Sequence, residues 1–379
     1  MAEREGPNED VGLLRPRKLD GDGLDALIVE GRTVLVYALT GRGCYIFGLQ
    51  GEHAEIHKMS LDRKGLERQV HSLLSNLQGE PNAYKAGAVI DFGHRLWREL
   101  IGPVSHLVRD ATELVIVPDG VLNGLPFGAL IERPVATPTD GHDLSKVPFL
   151  SARPGLKALA VVPSLATLAL LGERPPAKPE RSILLVGDPN LRGENLTPLP
   201  HARKEIEIIA GLTDKATVLV GDRATRGHME AQRPGRFGTL HIATHTRRGR
   251  IAALLLAPDE AGGDPTELRP AEIMGMRLLE TELVVLSACA TGHGKTAGPE
   301  GLIGLPRAFL IAGARRVLAS NIEIVDEKTS RLMQLLYARM HRGHEQPARA
   351  LLAAQRTLLG SPTTSWPGFW APFFVVGAP

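Results

Sequence analysis

Residues 282–292 read Glu-Leu-Val-Val-Leu-Ser-Ala-Cys-Ala-Thr-Gly, an apolar run that closes on Ser287-Ala288-Cys289-Ala290 and opens into a small-residue loop, Thr291-Gly292-His293-Gly294. Continuous apolar runs of this length mark strands buried on both faces, as in parallel sheets. Cys289 therefore falls at the end of a buried strand. A second such run, Thr239-Leu240-His241-Ile242-Ala243-Thr244-His245, ends in a histidine 44 residues before that cysteine and then turns basic at Arg247, Arg248, Gly249 and Arg250. Adjacent strand ends of a parallel sheet hold two such groups side by side, and an imidazole beside a thiol keeps it as thiolate near neutral pH. His245 and Cys289 are read as a base and its nucleophile.

Around these two runs, strands at 183–186, 217–220, 240–243, 283–286 and 316–319 alternate with helical patterns near 201–212, 226–233, 270–276 and 299–313. That alternation predicts an α/β fold with a mostly parallel sheet flanked by helices. Sites in such sheets collect at the carboxyl ends of the strands. Asp188, in the turn Gly187-Asp188-Pro189, falls at the same edge and is read as a pocket residue or as a turn-stabilising Asx residue. Helices near 326–341 and 346–359 and a terminal segment at 366–376 complete this half.

Upstream, apolar runs at 27–29, 34–39 and 45–49 read as an antiparallel meander. Leu66, Val70, Leu73, Leu74 and Leu77 recur at helical spacing after Asp62, and Leu96, Trp97, Leu100 and Ile101 predict a second helix before Pro103. A strand at 114–117 follows, and the Pro-rich stretch 133–148 reads as an exposed loop. Residues 172–181, with three prolines among charges, form the clearest linker. The expected organisation is a mobile lead-in (1–22), one half at 23–171, the linker, and a second half at 182–379.

The 379 residues are 43% apolar and 23% charged, enough for a full core, and the formal net charge is only +2. Aromatic residues make up 4%, which argues against a stacking surface for nucleic acid. No run approaches the roughly 20 apolar residues that span a bilayer. Two cysteines, Cys44 and Cys289, in unrelated contexts and no charged-then-apolar leader point to a reduced, cytoplasmic compartment.

His241, His245, Cys289 and His293 are four residues of zinc-ligand type, but His241 lies inside a strand, where same-face neighbours four residues apart do not converge easily. No metal or cofactor is expected. His241 reads as a packed core histidine, His293 as a solvated loop residue and Cys44 as structural. Arg247, Arg248 and Arg250 could steer acidic substrates, although such runs are commonly just solvated loops.

VPDGVLNGLPFGAL (117–130), VVPSLATL (161–168), LLVGDPNL (184–191), LPHARKEIEIIAGL (199–212), LHIATH (240–245), ELVVLSACATG (282–292), GPEGLIGLPRAFLIAGARRVLAS (298–320) and WPGFWAPFFVVG (366–377), in this order, resemble the CHAT domains. These are caspase-like cysteine peptidases of the clan that includes separase and metacaspases. Caspases show the same order, with histidine roughly 50 residues before cysteine. The resemblance implies a caspase-like (caspase-hemoglobinase) fold with a pseudo-peptidase-like amino-terminal half and a catalytic carboxyl-terminal half. It implies that His245 and Cys289 cleave a protein substrate through a thioester, with an oxyanion site at the backbone amides of Thr246 or its neighbours and of Cys289. It further implies a setting such as bacterial defence or cell death in which a neighbouring effector protein is the target; a cytosolic peptidase must be restrained, so activation by a protein partner or by cleavage within 133–148 or 172–181 is expected. The chain departs from the family at Thr246, where glycine is usual, at Ala290, where an acid is usual, and at Ile322, where an aromatic residue is usual. Thr246 and Ala290 motivate an alternative reading, a catalytically silent CHAT scaffold that binds proteins.

Overall fold

A computed structural model describes residues 27–139, 141–174, 182–191, 196, 199–247, 252–260, 263–287, 300–322 and 326–379. Its strands are β1 (Arg32–Thr40), β2 (Gly43–Gln50), β3 (His53–Lys58), β4 (Glu113–Val117), β5 (Ala158–Val161), β6 (Ile183–Pro189), β7 (Ala216–Gly221), β8 (Thr239–Ala243), β9 (Thr246–Arg247), β10 (Ala253–Leu256), β11 (Thr266–Leu268), β12 (Leu283–Leu286), β13 (Arg316–Ser320) and β14 (Phe373–Gly377). Its helices are α1 (Arg63–Leu77), α2 (Ala83–Leu100), α3 (Ser105–Arg109), α4 (Leu165–Glu173), α5 (Pro200–Ala210), α6 (Arg226–Ala231), α7 (Pro270–Met274), α8 (Glu300–Ile311), α9 (Asp326–Gly343) and α10 (Pro347–Leu359).

Eleven strands form one sheet in the order β3-β2-β1-β4-β5-β14-β13-β12-β8-β6-β7, and β9 to β11 form a small second sheet. Seven of the ten pairings in the large sheet are parallel. The three antiparallel ones are β1–β2, β2–β3 and β13–β14. Because β13 runs against β14, strands β13, β12, β8, β6 and β7 point opposite to β1, β4, β5 and β14. The carboxyl ends of β6, β8 and β12 therefore share one edge of the sheet.

One apolar core runs under both halves on a single face of the sheet, from Leu35, Leu66 and Trp97 to Leu185, Val285, Tyr337 and Trp370. On the other face the halves have separate cores, one around Leu240, Val284 and Phe309 and one around Val34, Val115 and Leu168. Cross-links tie the halves further: Arg356 on α10 donates to the carbonyls of Ser151, Arg153 and Leu156, each at 2.7 Å.

Helix α1 buries Leu66, Val70, Leu73 and Leu77, the stripe expected from the spacing. Asp62 caps it by accepting from the Gly65 N–H at 2.7 Å. Asp62→Ala is expected to lower stability by about 1 kcal/mol, read as a shift in urea midpoint at constant slope.

The meander has three strands, but displaced by one from the expected positions. Residues 27–29 are not a strand: the Arg32 N–H donates to the Val29 carbonyl across Gly31, whose φ of 74° favours glycine. Leu27 alone of that run is buried. The third strand is β3, whose burial pattern is mostly exposed and whose polar sequence hides it. The second predicted helix is also longer, beginning at Ala83 behind an Asn82 cap. The stretch 133–148 follows a loop path yet is not free, because Leu144 and Val147 are buried and the Leu144 N–H donates to Ser365 Oγ at 2.9 Å. The lead-in and most of the linker lie outside the described residues; α4 reaches Glu173, and Arg174 donates to the Gly313 carbonyl.

Candidate active site

Strands β8 and β12 pair in parallel with Thr239 beside Leu283 and Ile242 beside Leu286. The ladder extends one residue further, where the Ser287 N–H donates to the Ile242 carbonyl at 2.9 Å. Partners in this ladder are 44 residues apart, the interval that also separates His245 from Cys289. Cys289 itself, with residues 288–299, lies outside the described residues.

His245 leaves β8 half-buried, at the carboxyl edge of the sheet. Its backbone is pinned, because its carbonyl accepts from the Leu255 N–H at 2.9 Å and the preceding Thr244 hydroxyl donates to the Leu255 carbonyl. Thr246 then enters β9 opposite Leu254. Its φ is not among the positive values, so the extended strand suits a β-branched residue and threonine in place of glycine carries no backbone strain here. Arg247 pairs with Glu267, which also holds Arg269; Arg248 and Arg250 lie outside the described residues.

A pocket of about 430 Å³ opens beside His245, walled by Asp188, Asn190, Leu191, Arg203 and Asp222. The Gly187-Asp188-Pro189 turn shapes it. A side chain at Gly187 would press its Cβ to 2.7 Å from the Ala243 carbonyl oxygen, so glycine is required by close approach. Asp188 sits in the left-handed region at φ 44°, where the register of β6 on β7 shifts. Aspartate tolerates that region better than most residues. Its carboxylate accepts from Arg203 Nε of α5 at 2.7 Å, an ion pair rather than a local Asx turn. Just past the neighbouring strand β7, Asp222 accepts from Asn190 Nδ2 at 2.7 Å. Arg203, Asn190 and Asp222 were not singled out from the sequence. The signal for Asp222 was present, since Val-Gly-Asp recurs at 186–188 and 220–222 on two adjacent parallel strands.

Beneath the pocket, His241 is fully buried, with Nδ1 hydrogen-bonded to Tyr337 Oη at 3.0 Å and Nε2 at ion-pair distance, 2.9 Å, from Glu205 Oε1 without a hydrogen bond between them. Burial, and then the Glu205 carboxylate, push the Tyr337 hydroxyl well above its ordinary pKa. The neutral hydroxyl and Nδ1 share one hydrogen bond, in which the ring tautomer decides the donor. His241 is a core residue that staples α5 and α9 to β8. Cys44 is also buried, and burial together with the Asp62 and Asp119 carboxylates raises its thiol, outweighing Arg63.

A large, mostly parallel sheet flanked by helices is the caspase-like architecture of cysteine peptidases. Separase of Saccharomyces cerevisiae, solved with securin, superposes with a TM-score of 0.61 at 10% identity, covering 94% of this chain and 30% of that one. The Arg-specific cysteine proteinase gingipain R aligns with a TM-score of 0.46 at 11% identity, over 78% of this chain and 67% of that one. The CHAT domain family model matches residues 91–378, and the chain belongs to that family. Tetratricopeptide repeat protein 28 of Homo sapiens is 25% identical over 314 residues, and its Mus musculus counterpart 25% over 311. These matches cover 70% of this chain but only 12% of the length of those relatives. Among the described residues, no helix is long and apolar enough to cross a membrane.

Proposed function

We propose that this chain is a cysteine peptidase that cleaves a protein substrate with His245 as base and acid and Cys289 as nucleophile. The observation that carries the reading is the parallel register of β8 and β12, whose constant interval equals that between the two residues. Cys289 follows Ser287 by two residues in the sequence, and counting the same 44 residues back from it reaches His245. In the reaction, His245 takes the thiol proton and the sulfur attacks the scissile carbonyl carbon, forming the C–S bond. The oxyanion is received by backbone N–H groups, for which those of Cys289 and Thr246 are the candidates. As the C–N bond breaks, the imidazolium gives its proton to the departing amine. Water deprotonated by His245 then hydrolyses the thioester. The pocket with Asp188 in its wall receives a substrate side chain.

Two cysteines in unrelated contexts favour a reduced, cytoplasmic setting, where a peptidase needs restraint relieved by a protein partner or a cut, and the family resemblance supports a target such as a neighbouring effector in a bacterial defence or cell-death circuit. Leu144 and Val147 are buried in the stretch 133–148, which argues against a cut beside them; the other candidate is the segment 172–181.

One observation favours the second reading, a silent scaffold. The curated relatives carry the matching region as a small part of a much longer repeat protein, and the chain has Ala290 where the family has an acid. A proteome-derived peptide library incubated with wild type and with Cys289→Ala separates the two. New termini from wild type alone establish the peptidase; identical peptide sets with an activated or linker-cut preparation establish the scaffold.

A further inference from the structure

We propose that the free edge of β3 is a self-association surface, onto which a second copy of this chain adds its own β3, antiparallel about a two-fold axis at Ile56. The two eleven-stranded sheets then run into one. Strands β8 and β12 lie towards the other end of the strand order, so the junction stays clear of both candidate active sites.

The edge is open in a defined way. Strand β3 ends the strand order, so among the described residues no strand pairs with its outer side. The Met59 N–H donates to the Cys44 carbonyl of β2 at 2.9 Å, and backbone groups alternate sides along an antiparallel ladder. Glu55 and His57 therefore bond towards β2, and Ala54, Ile56 and Lys58 turn their N–H and C=O groups outward. Edge strands are commonly blunted by a proline or a bulge. Strand β3 contains no proline, and its register on β2 runs unbroken from His53 to Lys58.

The side chains decide what fits this edge. On one face Ile56 stands directly across from Phe47, and the two are 58% and 37% exposed, an apolar patch at the rim of the sheet. On the other face Glu55 lies between His57 and His106, at 3.4 and 3.2 Å. Glu55 Oε1 and His57 Nε2 are shielded from solvent yet form no hydrogen bond within the chain, and shielded polar atoms call for a partner. Two copies can share several registers, but an axis at Glu55 or Lys58 opposes like charges, one at His57 opposes two imidazoles, and one at Ala54 leaves little overlap. An axis at Ile56 sets Ile56 against its twin, extends the Phe47 patch across the junction, and places each Glu55 opposite the partner's His57. It also suits the backbone. Ile56 with its twin and Ala54 with Lys58 become the hydrogen-bonded pairs, while Glu55 and His57 take the non-bonded positions where side chains approach most closely.

Sedimentation velocity on the full chain over a concentration series is the test. Wild type is expected to approach twice the 40.8 kDa chain mass. Ile56→Lys, which sets two ammonium groups against each other at the axis, is expected to weaken association by at least about tenfold. Glu55→His and His57→Glu each oppose like groups and are expected to weaken self-association by about two- to tenfold. An equimolar mixture of those two variants is expected to associate as wild type does, because every glutamate then faces a histidine of the partner. That rescue cannot come from a damaged fold or from contacts inside one chain, and melting temperatures establish that each variant is folded. A wild type that stays monomeric to about 100 µM, as it would if the edge served a strand from another protein, overturns the proposal. So does association that survives Ile56→Lys, and so do single variants that associate as wild type does or that the mixture fails to rescue.

Discussion

His245→Ala is expected to lower kcat/KM on a peptide identified from the library by about 10³- to 10⁴-fold, the scale on which members of a nucleophile–base pair are lost. The reason is the state of the thiol. Without an adjacent imidazole, a cysteine at a strand end is mostly protonated near neutral pH, and the leaving amine has no proton donor. Alkylation by iodoacetamide at pH 6 provides a second measurement that does not need a substrate. Cys289 should react faster than Cys44 in wild type and lose that advantage in the variant. Cys44 sets only a low baseline, since it is 1% exposed with its thiol pushed up by burial, so the informative comparison is Cys289 in wild type against Cys289 in the variant. A His245→Ala protein with undiminished cleavage would remove His245 from the mechanism.

Glu205→Ala is expected to destabilise the protein by about 1–3 kcal/mol, because it leaves a buried imidazole without the carboxylate that faces it in an otherwise apolar core. Glu205 is 2% exposed, His241 and Tyr337 are fully buried, and the three come from α5, β8 and α9. Glu205→Gln, which keeps an acceptor, should cost less. Replacing all three by apolar residues of similar size should be near neutral or stabilising, since the cost of desolvating a buried carboxylate is removed together with its partners. Urea denaturation of the three proteins checks this order. If Glu205→Ala costs under 1 kcal/mol, the network is not a staple. Arg203 and Glu205 lie on the same helix, so the pair on His241 also sets the position from which the pocket wall is reached.

The strands that deliver His245 and Ser287 were legible because both faces of a parallel strand are buried, and β8 and β12 accordingly read as unbroken apolar runs. The interior role of His241 followed from its place within such a run. Its partners did not, since Glu205 and Tyr337 sit on amphipathic helices where an acid or a tyrosine looks like any surface or core residue. Strand β3 was missed because only Ile56 among its six residues is strongly apolar, as befits an edge wet along most of its length. Helix α4 was missed for the opposite reason: Leu165-Ala166-Thr167-Leu168-Ala169-Leu170-Leu171 is apolar all round and gives no period. The insertion of β14 between β5 and β13 could not be read at all, because local pattern identifies a strand and says nothing of its neighbours.

That insertion imposes an order on biosynthesis. Until residues 373–377 have emerged, β5 and β13 each present an open row of peptide groups where the finished sheet has none. Before β14 docks, each half-sheet therefore carries an edge that can pair with another chain, and filling the gap between β5 and β13 removes both edges at once.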